Sequence, residues 1–364
     1  MNPVDGAVNP VDGAGLRTRV QGVLDDFLAG QSEVLAAIGP EMNDLLDAAS
    51  ELLAGGKRLR AAFCYWGWRG AGQGDDPRIV VVAGALELLQ AAALIHDDVM
   101  DDSDTRRGRP AVHRRFAELH RSAGWHGDPG RFGLAGAVLL GDLCLSWSDS
   151  LLSGCGLPRV SEPAARTVFD QMRTELMAGQ YLDVLEQASA VEGDPGAPER
   201  ARRVIRHKSA KYTIEQPLLL GGVLAGAPEA VLAAYSAYGL PLGEAFQLRD
   251  DVLGVFGDPA ETGKPAGDDL REGKRTVLVA IASQRATPAQ RELLRTRLGD
   301  PYLEPDGVAA LRQVIVDTGA LAEVEGSIAL LSQSALAALH GSGIEPAAMA
   351  VLADLVTAAT TRSR

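Results

Sequence analysis

Two acidic clusters dominate the chemistry that this sequence could perform. The first, Asp97-Asp98-Val99-Met100-Asp101-Asp102, closes a long apolar stretch. Asp97 and Asp101 stand one helical turn apart and so share a helix face. Two carboxylates placed in this way repel each other unless a cation lies between them. The second cluster, Asp250-Asp251, closes another apolar stretch. Hard cations such as Mg2+ take carboxylate oxygens and complete their shell with water or substrate phosphate. Two aspartate clusters on opposed helices would hold several Mg2+ ions against a diphosphate. Acids at a helix C-terminus also oppose the helix dipole. That cost is incurred twice, which points to function over a merely solvated helix end.

Basic residues flank both clusters. Gly55-Gly56-Lys57-Arg58-Leu59-Arg60 is a glycine turn that opens a helix and carries three cations. Such a turn can aim backbone N–H groups and side chains at phosphate. Arg106-Arg107-Gly108-Arg109 follows the first cluster, Lys208 and Lys211 share another helix, and Lys264 and Lys274 lie in the glycine-rich stretch after the second. The polarity is consistent: acids for metal, metal and bases for phosphate.

The elements that must carry these residues read as helices almost throughout. Helical patterns span 16–37, 42–54, 59–68, 79–100, 111–119, 134–152, 163–188, 198–224, 228–253, 276–283, 288–298, 305–318, 320–340 and 346–359. Several open with proline in the first turn, a favoured place for it. Alternating strand patterns are nearly absent. The polar break 121–131 reads as a surface insertion, and no break is long enough for a domain linker. A tandem repeat, Asn-Pro-Val-Asp-Gly-Ala at 2–7 and again at 9–14, has no helical stripe. Residues 1–15 are therefore expected to form a flexible tail, and 16–364 a single all-α domain.

Composition narrows the classes. The 364 residues carry 35 Lys+Arg against 48 Asp+Glu, a net charge of −13. So acidic a chain is a poor binder of nucleic acid or anionic membrane. The most apolar stretch, 79–95, is short for a membrane span, carries Glu87 and Gln90, and runs into His96-Asp97. It is expected to be a buried helix, with no transmembrane segment in the chain. Three scattered cysteines, Cys64, Cys144 and Cys155, make neither a disulfide framework nor a zinc pattern. With no signal-peptide pattern, a reducing cytoplasmic setting is expected.

Taken together, the segments 55–60, 94–108 (Leu-Ile-His-Asp-Asp-Val-Met-Asp-Asp-Ser-Asp-Thr-Arg-Arg-Gly) and 246–251 (Phe-Gln-Leu-Arg-Asp-Asp) resemble the trans-isoprenyl diphosphate synthases. Lys208-Ser209 resembles that family's Lys-Thr pair, and Gly263-Lys264-Pro265 with Asp268 to Lys274 resembles its closing loop. The resemblance runs from about Leu16 to the C-terminus. It implies the all-helical isoprenoid synthase fold around a deep apolar cavity, a homodimer, and about three Mg2+ ions when diphosphate is bound. It also implies condensation of isopentenyl diphosphate with an allylic diphosphate such as dimethylallyl, geranyl or farnesyl diphosphate.

By the same resemblance, Asp97, Asp101 and Asp250 are the metal ligands, supported by Asp98 and Asp251. Lys57, Arg60, Gln90 and Arg107 bind isopentenyl diphosphate. Arg106, Lys208, Ser209, Gln247 and Lys264 hold the allylic diphosphate, with Lys274 nearby. Two positions depart from the pattern: Gly254 stands where many relatives have aspartate, and Ala61 where proline is common. Product length should follow cavity depth. Ala92 and Ala93 lie about one turn before Asp97, where shorter-product relatives carry an aromatic floor. Leu89, Leu86 and Trp147 lie deeper. The expected product is geranylgeranyl diphosphate, with longer polyprenyl chains as the alternative and farnesyl diphosphate less favoured. A terpene cyclase is disfavoured by Lys57, Arg60 and Arg107, and a non-catalytic partner subunit by the presence of both aspartate pairs.

Overall fold

The computed structural model describes residues 10–157, 162–189, 191, 193–258 and 267–360. These divide into two compact units. One comprises Met1–Pro163 with Leu220–Gly226, the other Ala164–Leu219 with Ala227–Arg364.

The first unit holds α1 (Leu16–Ala36), α2 (Asn43–Leu53), α3 (Leu59–Gly70), α4 (Pro77–Met100), α5 (Val112–Ser122) and α6 (Pro129–Ser153). Helix α4 is its axis. Asp76 caps it, the side chain accepting from the Arg78 N–H at 2.8 Å, and Pro77 fills the first turn. Most of α4 is buried, as expected of a core helix. Gly84 lets α1 approach: a Cβ there would lie 2.9 Å from Val23 Cγ1. Burying each large apolar side chain of this helix is worth about 1.5–3 kcal/mol.

Helix α6 starts five residues earlier than its apolar pattern. Asp128 accepts from the Gly130 N–H at 2.9 Å and Pro129 follows, so the break read as a loop contains a helix start. By length and composition α6 could also cross a membrane, and only a third of its apolar window is buried. Between α4 and α5 lies a two-residue-strand hairpin, β1 (Thr105–Arg106) against β2 (Arg109–Pro110), that strand patterning did not reveal.

The second unit holds α7 (Glu162–Ser189), α8 (Ala197–Val204), the start of α9 (Gln216–Leu224), whose residues from Leu220 on belong to the first unit, and α10 (Glu229–Phe256). It continues through α11 (Asp268–Glu272), α12 (Val277–Arg285), α13 (Pro288–Arg297), α14 (Pro305–Asp317), α15 (Ala320–Leu339) and α16 (Pro346–Thr360). A core built on Leu248, Val252, Leu278, Leu294, Leu311 and Val324 joins α10 to α12–α15.

The pattern read as one helix over 198–224 is three pieces, because Ile205–Glu215 is wound as a π-helix. Its neighbours come unusually close. A Cβ on Gly179 of α7 would overlap Lys208 N. A Cβ on Gly243 of α10 would lie 2.6 Å from Ala210 Cα, and on Gly239 2.8 Å from Glu215 Cα. Backbone thus packs on backbone from both sides.

The end of the segment expected to be a flexible tail carries local structure. Pro10–Gly15 forms a 3-10 turn, and Asp12 Oδ1 accepts the Arg17 N–H at 3.0 Å. The second repeat copy therefore leads into α1; the first lies outside the described residues. All three cysteines are free thiols, as the scattered spacing implied.

Candidate active site

In the first unit the acidic cluster forms the C-terminus of α4. Asp102 takes a left-handed conformation (φ 51°), and the Ser103 N–H reaches back to Asp98 O at 3.0 Å. This is a Schellman ending, which short polar residues tolerate. Asp97 and Asp101 keep partial exposure, whereas Asp98 is buried. Burial holds the Asp98 carboxyl above its ordinary value, and the Arg106 hydrogen bond offsets only part of that rise. Arg106 Nε donates to Asp98 Oδ1 at 2.8 Å, and its Nη2 lies 3.6 Å from Asp97 Oδ2. Arg114 meets Asp102 and Asp104, each at 2.9 Å. The repulsion expected among these acids is thus balanced by arginine.

The hairpin explains how two adjacent arginines serve two places. Its turn is Arg107-Gly108, both with positive φ (56° and 74°), the backbone of a tight type I′ connection. Arg106 turns to the acids. Arg107 Nη1 instead donates to Leu52 O at 2.9 Å and Gly55 O at 2.8 Å, at the glycine turn. There Lys57 is exposed and Arg60 part-exposed.

Arg58, between them, is buried at 5% exposure and left-handed (φ 56°). Its Nη1 donates to Glu87 Oε2 of α4 and its Nη2 to Gln21 Oε1, both at 2.7 Å, with Leu53 O as a further acceptor. The three cations of the turn are thus unlike: Arg58 is an internal strut, Lys57 is exposed and Arg60 lies between the two extremes. Glu87 was not foreseen as its partner. A glutamate inside an apolar helix was the available signal, because buried carboxylates need a cation.

On α4, Gln90 and Ala93 retain part-exposure on the face that leads to Asp97, while Ala92 is buried at 3% and Leu89 at 1%. The two alanines expected to act alike therefore differ. Deeper in this unit, Trp147 meets Phe27 edge-on at 6.2 Å between ring centroids.

In the second unit, Lys208 Nζ pairs with Asp183 at 2.6 Å and Lys211 Nζ with Glu175 at 2.9 Å. The two acids flank Gly179 by one turn each on α7, so the close approach of backbones and the two ion pairs are one device. Burial pushes Glu175 up, but hydrogen bonds from Gln171 and Lys211 outweigh it and hold the carboxyl below its ordinary value. These two acids were missed: nothing in α7's own sequence marks which glutamate will face a lysine some thirty residues on. Ser209 is half-buried beside Lys208.

At the end of α10, Gln247 Nε2 donates to Asp251 Oδ1 at 2.8 Å. Asp251 is buried, which pushes its carboxyl up to about 8 against that hydrogen bond, with Asp269 and Asp250 adding to the rise. Asp250 is part-exposed. Between them and the core, Arg249 forks onto Glu325 (2.8 and 2.7 Å) and reaches Thr360 O at 3.0 Å. That clamp fixes the rotation of α10 about its axis. Lys274 Nζ lies 2.6 Å from Glu272 Oε2. Lys264 lies outside the described residues.

Among the described residues, no three His, Cys, Asp or Glu side chains converge as a self-sufficient metal site. The part-exposed carboxylates Asp97, Asp101 and Asp250 nonetheless fit a hard cation that takes its remaining ligands from water and a phosphate group.

Comparison with known proteins gives this arrangement a context. Residues 42–315 match the protein family described as Polyprenyl synthetase. Heptaprenyl diphosphate synthase component 2 of Geobacillus stearothermophilus is 35% identical over 269 residues, covering 73% of this chain and 75% of that protein. Octaprenyl diphosphate synthase of Escherichia coli K12 is 30% identical over 282 residues, covering 75% and 79%. Among solved structures, geranylgeranyl pyrophosphate synthase of Corynebacterium glutamicum, complexed with isoprenyl diphosphate and magnesium, superposes with a TM-score of 0.92. It is 39% identical and covers 98% of this chain and all of that one.

Proposed function

This chain belongs to the polyprenyl synthetase family, the trans-isoprenyl diphosphate synthases of all-α isoprenoid synthase fold, and from that membership we propose that it is a Mg2+-dependent geranylgeranyl diphosphate synthase. Isopentenyl diphosphate and an allylic diphosphate are its substrates. Residues 16–364 are read as a single synthase domain. The observation that carries the reading is the acid pair Asp97/Asp101, one turn apart at the end of α4, with Arg106 beside Asp97.

Asp97, Asp101 and Asp250 would hold the metal, with Asp98 and Asp251 behind them. When bound, Mg2+ neutralises the allylic diphosphate and makes it a leaving group. Lys208, Ser209, Gln247, Lys264, Lys274 and Arg106 hold that diphosphate and share in stabilising its departing charge. Lys57, Arg60, Gln90 and Arg107 hold the diphosphate of the second substrate. The carbon–oxygen bond breaks to leave an allylic cation, the double bond of isopentenyl diphosphate attacks it, and a proton then leaves to the departed diphosphate. Apolar walls below Asp97 exclude the water that would quench the cation.

The part-exposure of Ala93 supports a product longer than farnesyl, since no aromatic side chain fills that turn. The exposed Leu134, Val138 and Leu139 of α6 support a homodimer through that helix, because contiguous exposed apolar side chains mark association surfaces. The kinship with a heptaprenyl synthase component favours a second reading, a longer-chain synthase.

The test incubates purified protein with Mg2+, isopentenyl diphosphate and, separately, dimethylallyl, geranyl and farnesyl diphosphates, with products measured by mass spectrometry. A C20 product is expected. Chains of C30 or more support the second reading. No condensation with any starter refutes both.

A further inference from the structure

The departure at Gly254 has a counterpart elsewhere in the chain. We propose that Asp269, carried by α11, supplies the carboxylate that the second acidic cluster lacks at Gly254, making Asp269 a third acid of the Asp250 site. Gly254 lies one turn beyond Asp250 on α10, so a side chain there would leave the helix on the same face. That place is taken. A Cβ on Gly254 would overlap Asp269 Oδ2 and Cγ and lie 3.0 Å from Oδ1. The carboxylate of 269 and any side chain at 254 exclude each other, and glycine admits the former.

Asp269 is delivered there by a pinned element. Gly267, left-handed at φ 74°, opens α11. Leu270 is fully buried in the core, and its carbonyl accepts from Gly299 N–H at 2.9 Å. Arg271 Nε donates to Leu303 O at 3.1 Å, and Lys274 N–H closes back on Asp269 O at 3.0 Å. Lys274 Nζ stands 3.8 Å from Asp269 Oδ1. One short helix therefore places an acid at Gly254, one turn from Asp250, and a cation beside it, the pairing that a divalent ion with an inorganic or organic diphosphate requires.

This inference rests on the synthase reading, and the experiment separates the two. Wild type, Asp269→Asn, Asp269→Gly, Gly254→Asp and the exchange Gly254→Asp/Asp269→Gly are compared. The first readout is binding of Mn2+ with inorganic pyrophosphate by calorimetry, and the second is the melting temperature. Asp269→Asn and Gly254→Asp are expected to weaken Mn2+ binding by about tenfold or more, the scale seen when groups around a metal are altered. The exchange should bind more tightly than Asp269→Gly alone, because the new side chain no longer meets an occupant. Equal Mn2+ affinity in wild type and Asp269→Asn overturns the inference, even if the melting point falls, since that is a purely structural effect. So does an exchange that binds no better than Asp269→Gly. Wild-type protein that binds Mn2+ and pyrophosphate through Asp269 but condenses no substrate defeats the synthase reading and leaves this one standing.

Discussion

Replacing Arg58 by methionine isolates the strut under the basic turn. Arg58 and Glu87 are each 5% exposed and meet at 2.7 Å, with Gln21 and Leu53 O completing the guanidinium's partners. Methionine preserves most of the volume but leaves the Glu87 carboxylate buried without its cation. Breaking a buried pair from one side costs about 3–5 kcal/mol, a large share of the ~5–15 kcal/mol that holds a domain together. Removing both charges, as Arg58→Met with Glu87→Leu, is expected to restore stability to near wild type, because an apolar pair of similar volume avoids desolvation altogether. Urea unfolding followed by circular dichroism gives the free energies, and the four proteins form a double-mutant cycle. The single variant should also raise KM for isopentenyl diphosphate, since Lys57 and Arg60 hang on the same turn. A loss below about 1 kcal/mol for Arg58→Met, the value of an exposed pair, would refute the reasoning. So would a double variant no better than the single one.

Further expectations follow from the same geometry. Ala93→Phe should shorten the product with little change in melting temperature, because that turn has room. Ala92→Phe should instead cost about 1–3 kcal/mol by overpacking, since Ala92 is 3% exposed; mass spectrometry and thermal melts separate the two. Asp251 is held protonated by burial up to about pH 8, while the unfolded chain releases that proton near pH 4. The folded state then binds the extra proton, so stability of the metal-free protein should fall as pH rises from about 4 to about 8. Asp251→Asn should flatten that slope in melts in EDTA. Gly179→Val should part α7 from the π-helix, cost at least about 1–3 kcal/mol, and raise KM for the allylic substrate through Lys208; unchanged melting and kinetics would contradict the close approach.

Most helices were legible because their apolar stripes and first-turn prolines are local signals, as at Pro288, Pro305 and Pro346. The start of α6 was equally local, in Asp128-Pro129, but was obscured by the polar run before it. The π winding at Ile205–Glu215 has no local signal. It lies where glycines on two other helices, Gly179 and Gly243, let backbone approach backbone. The candidate acids and bases were visible by type and spacing. Their partners were not: Glu87, Asp183 and Glu175 meet their cations only through packing between elements distant in sequence. The same holds for Asp269 against Gly254, where a missing side chain marked the place and only the fold could say what fills it.

The widened winding at Ile205–Glu215 also constrains how this chain can vary. An ordinary helix advances about 100° of rotation per residue. Deleting one residue between Lys208 and Lys211 would restore regular winding and leave the two lysines two positions, about 200°, apart around the helix. Lys208 and Lys211 could not then both keep their acids. Length, as much as residue identity, is therefore fixed over this stretch, and substitutions there should be far better tolerated than insertions or deletions.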